Sequence, residues 1–317
     1  MSDTKSAPDR LERLGRRLVG RRREQELVLA AIDAGRHIVL EGPPGTGKST
    51  LLRAVAHELG IGFEFVEGNA ELTPARLVGH FDPARVLAEG YDPEIFVDGP
   101  LITAMRDGSL LYLEELNRVP EETLNVLITV MSEGELHVPR LGRVLAAPGF
   151  RLVAAMNPYD AVGTARISGA VYDRVCRLSV GYQDATEEAA IVARGVDDTD
   201  PEWVGRIVEV VRRTRDHPDL RVGSSVRGAL DATAVARSLS AVRARPPDDR
   251  VVGLDAALVA LSGRVRVREG SARTAEDVIT ELWDAVFDVP PGGDRPDEDG
   301  DGGSTGKAPG PKGPHPG

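Results

Sequence analysis

The sequence predicts an α/β fold, a parallel sheet layered between helices, followed by a smaller all-helical domain. Three observations carry that prediction. Gly42-Pro43-Pro44-Gly45-Thr46-Gly47-Lys48-Ser49 matches G-x-x-x-x-G-K-[ST], the phosphate-binding P-loop, with the apolar run His37–Leu40 before it and a helical pattern after it. Up to Gln183, short apolar runs of strand length alternate with helical periods, which is the pattern of a parallel sheet with crossover helices. Beyond Gln183 only helical periodicity recurs. In such a loop the glycines let backbone N–H groups turn inward around phosphates, and the following helix N-terminus adds potential favourable to an anion. Lys48 is placed to pair with the β- and γ-phosphates, and the Ser49 hydroxyl to ligate Mg²⁺.

In chain order, Met1–Asp9 is polar and expected to fray. Arg10–Arg23 interleaves arginines with Leu11, Leu14, Leu18 and Val19, an amphipathic lead-in helix with a solvated basic face. Glu24–Ala34 is a helix ended by Gly35, and His37–Leu40 is the strand that enters the P-loop. Ser49–Leu59 is the loop's helix, and Phe63–Val66 a second strand. Between Glu71 and Pro100, Pro74, Pro83, Pro93 and Pro100 break any long helix. A stretch so long and interrupted is expected to be an inserted functional element. Leu101–Arg106 is a short helix; Ser109–Leu113 is a buried strand ending in Glu114-Glu115, and Pro120–Ser132 is helical. Glu135–Pro139 and Arg143–Leu145, joined through Gly142, form a hairpin. Leu152–Met156 is a buried strand ending at Asn157-Pro158, and Val175–Val180 is the last strand. Thr186–Arg194, Trp203–Arg215, Ser225–Leu239, Leu254–Val265 and Thr274–Phe287 are helices, the last opened by a capping box of Thr274 and Asp277. From Val289 onward the chain is Pro, Gly and Asp with almost no large apolar residue, so a disordered tail is expected.

Composition narrows the functions. With 317 residues, 41% hydrophobic and 28% charged, the chain is of ordinary globular type and long enough for two domains. A net charge of −11 argues against nucleic acid or an anionic membrane as the main partner. The single cysteine, Cys176, excludes an intrachain disulfide and a multi-cysteine metal site, and its apolar neighbours predict a buried strand thiol. No segment approaches about 18 uninterrupted apolar residues, and the polar N-terminus lacks a signal peptide's apolar core, so a cytoplasmic location is expected. The six histidines show no metal-ligand spacing.

A P-loop alone serves many reactions, and the residues beyond it discriminate among them. Acids at the carboxyl end of a sheet strand lie in the crevice where α/β sheets bind ligands. One acid beside Ser49 can hold Mg²⁺ through water, and a second can polarise an attacking water. The strand-end Asn157 can orient that water or touch the γ-phosphate, and an arginine offered to a neighbouring subunit's phosphate stabilises transition-state charge.

The chain resembles a MoxR-type AAA+ ATPase of the helix-2-insert clade, from about Leu18 to about Phe287. The resemblance is carried by Leu18-Val19-Gly20, His37–Ser49, Leu72-Thr73-Pro74 through Val78-Gly79, Asp98-Gly99-Pro100-Leu101 and Glu114-Glu115-Leu116-Asn117-Arg118-Val119-Pro120. It continues through Ala154-Ala155-Met156-Asn157-Pro158, Asp173-Arg174 and Gly223-Ser224-Ser225-Val226-Arg227. The resemblance implies an N-terminal extension over 1–17, a nucleotide-binding α/β domain over 18–183, a helical lid over 184–287 and a tail over 288–317. It implies that Val19 and Gly20 flank the adenine, that Gly42–Ser49 with Thr50 bind the phosphates, and that Ser49 and Glu114 hold Mg²⁺. Glu115 would be the catalytic base, Asn157 sensor 1, Arg227 sensor 2 and Arg174 the arginine finger acting in trans, with Arg166 and Arg177 as nearby alternatives. The Glu71–Pro100 stretch matches the clade's helix-2 insert and Glu135–Leu145 its pre-sensor-1 hairpin. The family implies ATP and Mg²⁺, a homo-oligomeric and in particular hexameric ring, and a separate partner bearing a von Willebrand factor A domain that helps act on a client protein.

One position departs from the pattern. The family usually carries Asp-Glu where this chain has Glu114-Glu115, and the extra methylene predicts slowed rather than abolished turnover. That departure keeps a nucleotide-dependent switch with little hydrolysis in view as an alternative. A chelatase-type motor subunit is another, and a P-loop kinase would need an acceptor-binding lid that two acids and a strand-end asparagine do not suggest.

Overall fold

The computed structural model describes residues 7–158 and 167–287. The proposed tail over 288–317 and Arg166 lie outside the described residues. The elements run α1 (Ala7–Arg17), α2 (Arg22–Asp33), β1 (His37–Glu41), α3 (Lys48–Leu59), β2 (Phe63–Glu67), α4 (Pro74–Val78), β3 (Gly79–Phe81), α5 (Pro83–Glu89), β4 (Phe96–Asp98) and α6 (Pro100–Asp107). Next come β5 (Leu110–Glu114), α7 (Glu121–Glu133), β6 (Glu135–Val138), β7 (Gly142–Leu145), β8 (Arg151–Met156), α8 (Gly169–Tyr172) and β9 (Val175–Ser179). The helical part holds α9 (Ala185–Gly195), α10 (Pro201–Asp216), β10 (Leu220–Val222), α11 (Val226–Arg243), α12 (Arg250–Leu261), β11 (Arg266–Val267) and α13 (Ala275–Phe287).

The main sheet has five strands in the order β2-β5-β8-β1-β9, every pair parallel. Strand alternation sorts its residues into two cores. Ile38, Leu40, Leu110, Tyr112, Val153 and Ala155 face α1, α2 and α3, packing with Leu14, Val28, Leu51 and Val55. Val39, Leu111, Leu113, Leu152 and Ala154 face the other way, onto α6, α7 and the inserted segment. The sheet is buried on both faces, which is why its strands read as continuous apolar runs. The carboxyl ends of β1, β5 and β8 therefore come to one edge of a three-layer sandwich.

The insert between β2 and α6 is more regular than its prolines suggest. Pro74 and Pro83 open α4 and α5 rather than break them, capped by Thr73 and Asp82, and β3 pairs antiparallel with β4. Proline is tolerated at the first helical turn because the N–H it lacks has no partner there. The β6–β7 hairpin forms as expected, with Val138 opposite Gly142.

Two expectations are corrected. The lead-in helix does not run from Arg10 to Arg23: it starts at Ala7, inside the stretch expected to fray, and stops at Arg17. Gly20 (φ 65°) and Arg21 (φ 57°) are left-handed, so the chain turns before α2 begins at Arg22. Cys176 lies on a strand but is exposed, because β9 is the sheet's edge. Beyond Gln183, α9–α13 pack around Trp203, Ile207, Ala232, Ala257 and Trp283, with the β10–β11 ribbon added to the expected helices. The capping box is present: Thr274 N donates to Asp277 Oδ2 (2.8 Å) and Asp277 N to Thr274 Oγ1 (3.1 Å).

Candidate nucleotide site

The P-loop leaves β1 at the sheet's carboxyl edge and becomes α3 at Lys48, with Gly47 (φ 81°) as its cap. The buried Lys48 Nζ donates to the carbonyls of Gly42 and Pro43, each at 2.9 Å, and Thr46 Oγ1 also donates to Pro43 O (3.0 Å). Burial lowers the Lys48 pKa, while Glu114 and Glu115 oppose that and Arg21 and Arg227 add to it. At Gly45 (φ 73°) the helical part comes up against the P-loop: a Cβ there would lie 2.1 Å from Ser225 Oγ and 2.6 Å from Ser225 Cβ. Only a residue without a Cβ allows that approach.

The acids converge on the same loop. Tyr112 and Glu114 alternate with Leu113 along β5 and so share the α3 side of the sheet. Ser49 Oγ donates to Glu114 Oε1 (3.1 Å) and lies 3.1 Å from Tyr112 OH. Burial, with the two acids nearby, pushes the Tyr112 phenol well above its ordinary pKa and keeps it a hydrogen-bonding group. Glu115 follows in a left-handed conformation (φ 54°, ψ 46°), a strain that residues with a Cβ bear mainly at functional sites. Its Oε2 is buried without a hydrogen bond; Arg118 Nε is 3.3 Å away, at ion-pair distance but outside hydrogen-bond alignment. Asn117 Nδ2 donates to Asn157 O (3.4 Å), tying the end of β5 to the end of β8.

Two contiguous cavities take shape around the loop. One, of about 240 Å³, is lined by Lys48, Ser49, Glu114, Glu115, Asn157 and Arg227, with Glu67 and Pro44 at its margin. The other, of about 340 Å³, lies between the sheet domain and the helical part. Leu18, Val19, Ile191, Val226 and Leu230 give it apolar walls, and Gly45, Thr46, Gly47, Thr50 and Arg227 are common to both cavities. One cavity is thus polar and acid-lined, the other walled largely by apolar side chains with Arg17, Arg21 and Arg194 among its lining, and the P-loop runs between them. The Leu18–Arg21 turn is fixed by two amides: Gln25 Nε2 donates to Gly20 O (2.8 Å) and Gln183 Nε2 to Val19 O (2.7 Å). A Cβ on Gly20 would fall 2.0 Å from Glu187 Oε1, so α9 closes directly on this turn.

The helical part has its own anchor. The buried carboxylate of Glu188 accepts from Arg215 Nη2 (2.7 Å) and Arg212 Nη1 (3.3 Å). Arg215 Nε donates to Ser224 O (2.8 Å), and its guanidinium lies 3.9 Å from the centre of the Tyr182 ring. These bonds fix the segment that delivers Ser225 and Arg227 to the loop.

Of the residues expected at the site, Val19, Pro44–Thr50, Glu114, Glu115, Asn157 and Arg227 line these cavities. Gly20, Gly42 and Pro43 do not: Gly20 O accepts from Gln25 in the turn beside Val19, and the carbonyls of Gly42 and Pro43 accept from Lys48. Arg174 does not: its Nη1 donates to Ala170 O (2.7 Å) and its Nε pairs with Ser132 Oγ, away from the loop of its own chain. Arg177 is tied to the buried Glu41, with Nε and Nη2 each 2.5 Å from Oε2, while Tyr172 OH donates to Glu41 Oε1 (2.7 Å). Arg21, Gln183, Tyr112 and Glu67 are neighbours that sequence reasoning did not single out. Of these only Tyr112, two residues before Glu114 on a strand, carried a legible signal.

The hydroxyl of Ser49 and the carboxylate of Glu114, together at one end of the polar cavity, are hard oxygen donors that fit Mg²⁺. Among the described residues no group of three His, Cys, Asp or Glu is arranged to hold a metal by protein ligands alone. Such a site suits a cation that keeps waters and takes further oxygens from phosphate. Among the described residues no helix is long and apolar enough to cross a membrane.

Residues 37–175 match the family model of the AAA domain of the dynein-related subfamily. The gas vesicle ATPase GvpN of Haloferax mediterranei is 32% identical over 209 residues, covering 61% of this chain and 60% of that protein. GvpN1 of Halobacterium salinarum is 29% identical over 270 residues, covering 80% of this chain and 75% of that protein. A crystal structure of a Cytophaga hutchinsonii protein, provisionally described as an ATPase, superposes with a TM-score of 0.51 at 18% identity. It covers 87% of this chain and 92% of that one, a likeness of fold.

Proposed function

We propose that this chain is a MoxR-type AAA+ ATPase that binds Mg-ATP between a nucleotide domain over 18–183 and a helical lid over 184–287, hydrolyses it to ADP and phosphate, and uses the cycle to remodel a client protein. The observation that carries the reading is the convergence of Lys48, Ser49, Glu114, Glu115 and Asn157 on one polar cavity, continuous with an apolar one beneath the lid. A largely apolar cavity of about 340 Å³ suits an adenosine, and the P-loop that joins it to the acids suits the phosphate chain.

In this reading the base lies between Val19 and Leu230, and Lys48 together with the N–H groups of Gly45–Ser49 holds the β- and γ-phosphates. Glu115 accepts a proton from the water that attacks the γ-phosphorus, and Asn157 orients that water. Ser49 and Glu114 hold Mg²⁺, which when bound neutralises charge developing on the phosphate oxygens. Arg227 sits in the first turn of α11 and moves with it, so its distance from the phosphates reports how far the lid has closed.

Arg174, just after α8 and bonded to Ala170 O and Ser132 Oγ rather than to its own loop, fits a finger offered to the next subunit, and Arg177 fits a structural partner of Glu41. Such sharing calls for a homo-oligomer, and its hexameric ring form belongs to the proposal on the sequence resemblance alone. A separate partner bearing a von Willebrand factor A domain belongs to the same proposal, on the sequence resemblance alone. The two GvpN relatives favour a narrower version in which the client is a gas-vesicle assembly. The test is affinity capture with Glu115→Gln in ATP, which should retain client and partner on a closed ring. A monomer that holds ATP and retains neither contradicts remodelling and favours the nucleotide switch.

A further inference from the structure

Arg21 is a charge that the protein buries and only partly satisfies. It is 9% exposed and occupies a left-handed conformation (φ 57°, ψ 31°) that a residue with a Cβ seldom adopts. Its Nη1 donates to Glu24 Oε1 (3.1 Å) and its Nη2 to Gly181 O (2.7 Å). Its Nε is buried with no partner, although a guanidinium carries five N–H donors. Burial lowers the Arg21 pKa against the pull of Glu24, Glu187 and Glu188. A buried cation is retained at this cost where it has an anion to meet.

The geometry says where that anion would be. Arg21 lines the apolar cavity and not the acid-lined one, whereas Lys48 lines the acid-lined cavity and not the apolar one. A Cβ placed on Gly47 would lie 4.0 Å from Arg21 Nε, so the guanidinium stands beside the P-loop on the side facing the base. Arg21 and Lys48 therefore flank the loop from opposite sides. A nucleotide lying from one cavity to the other passes Arg21 first, at the phosphate next to the ribose.

We infer that the Arg21 guanidinium is a phosphate-binding group of this site, hydrogen-bonded to the α-phosphate of the bound adenine nucleotide while Lys48 serves the β- and γ-phosphates. This rests on the ATP reading above and extends it to a residue outside the P-loop. The turn at Leu18–Arg21 then performs two tasks, since Val19 walls the base and Arg21 grips the first phosphate. The strained backbone, pinned by Gln25 and Gln183, is what sends both side chains into one cavity.

The test compares adenosine, AMP and ADP binding to the full chain by calorimetry and by displacement of a fluorescent ADP analogue. Arg21→Gln is paired with Glu24→Gln so that no carboxylate is left without its cation, and Arg21→Lys keeps the charge but loses the planar fork. The neutral pair should bind AMP and ADP about tenfold to a hundredfold more weakly, the range for a hydrogen bond to a charged group, with adenosine unchanged. Arg21→Lys should fall between wild type and the neutral pair. If the neutral pair does not fold, Arg21→Lys decides, with ADP weakened and adenosine unchanged as the supporting result. ADP affinity within twofold of wild type overturns the inference. So does an equal loss for adenosine and ADP, since Arg21 would then only shape the turn. A wild-type chain that binds none of the three ligands overturns the ATP reading itself.

Discussion

Replacing Gly45 by alanine tests whether the helical part is seated on the P-loop. Two costs can be worked out separately. At φ 73° a left-handed backbone costs an L-residue about 1–2 kcal/mol. The new Cβ would meet Ser225 Oγ at 2.1 Å and Ser225 Cβ at 2.6 Å, where contacts closer than 3.0 Å are essentially never seen, so α11 must withdraw from the loop. Overpacking of that kind costs about 1–3 kcal/mol. Gly45→Ala should therefore destabilise the closed arrangement by about 2–5 kcal/mol. Ser225 makes no side-chain capping bond on α11, so Ser225→Gly alone should cost only a few tenths of a kcal/mol. In the double variant the overpacking disappears and the backbone strain stays. A double-mutant cycle on ADP affinity and urea unfolding should thus give a coupling of about 1–3 kcal/mol in favour of the pair. A coupling below about 0.5 kcal/mol would mean that the Ser225–Gly45 approach does not hold the lid, and the account of Arg227 would fall with it.

Other consequences are direct. Glu114→Asp should raise steady-state ATP turnover, since the shorter acid restores the reach for which a water-mediated Mg²⁺ contact is built; an unchanged rate contradicts the argument from side-chain length. Arg174→Ala should lower turnover about a thousandfold with ADP affinity intact, the size expected of a finger. Arg177→Ala should instead leave turnover near wild type and cost about 1–2 kcal/mol in chemical unfolding, because it strips the buried Glu41 of a partner that is itself largely exposed. His37, whose Nδ1 accepts from Leu152 N (2.9 Å), has its pKa lowered from 6.5 to about 4, by burial first and then by Arg151. The unfolded chain then binds the extra proton between those values, so the His37 contribution is complete above pH 6.5 and is lost as pH falls towards 4. The loss is about 3 kcal/mol, and His37→Gln should flatten the acid limb of urea unfolding by that amount.

The sheet and the loop were legible because both are local. A strand buried on both faces reads as an apolar run whatever its neighbours, and the P-loop is a continuous octet. Acids at the end of β5 and an asparagine at the end of β8 could be placed in one crevice because parallel strands bring their carboxyl ends together. What stayed hidden depended on distant contacts or on single backbone angles. Between Arg10 and Arg23 the break at Gly20-Arg21 is marked only by a glycine, and Gly15 sits inside α1 without ending it, so that mark does not discriminate. Cys176 shares the apolar neighbours of an interior strand, yet the strand order puts β9 at the edge. Arg174 and Arg177 look alike in sequence and part company only through Glu41, on β1, more than a hundred residues earlier. The two strands of the insert are three residues each, too short to show an alternation.

The central claim is that Glu115 turns a nucleotide site into a hydrolytic one. The most direct measurement is phosphate release from ATP with Mg²⁺ over a range of protein concentrations, wild type beside Glu115→Gln. The account predicts turnover per chain that rises with concentration as subunits complete one another's sites, and a Glu115→Gln chain that binds ATP with undiminished affinity and releases almost no phosphate. A wild-type chain that binds ATP without turning it over at any concentration, or a Glu115→Gln chain that hydrolyses at the wild-type rate, contradicts it.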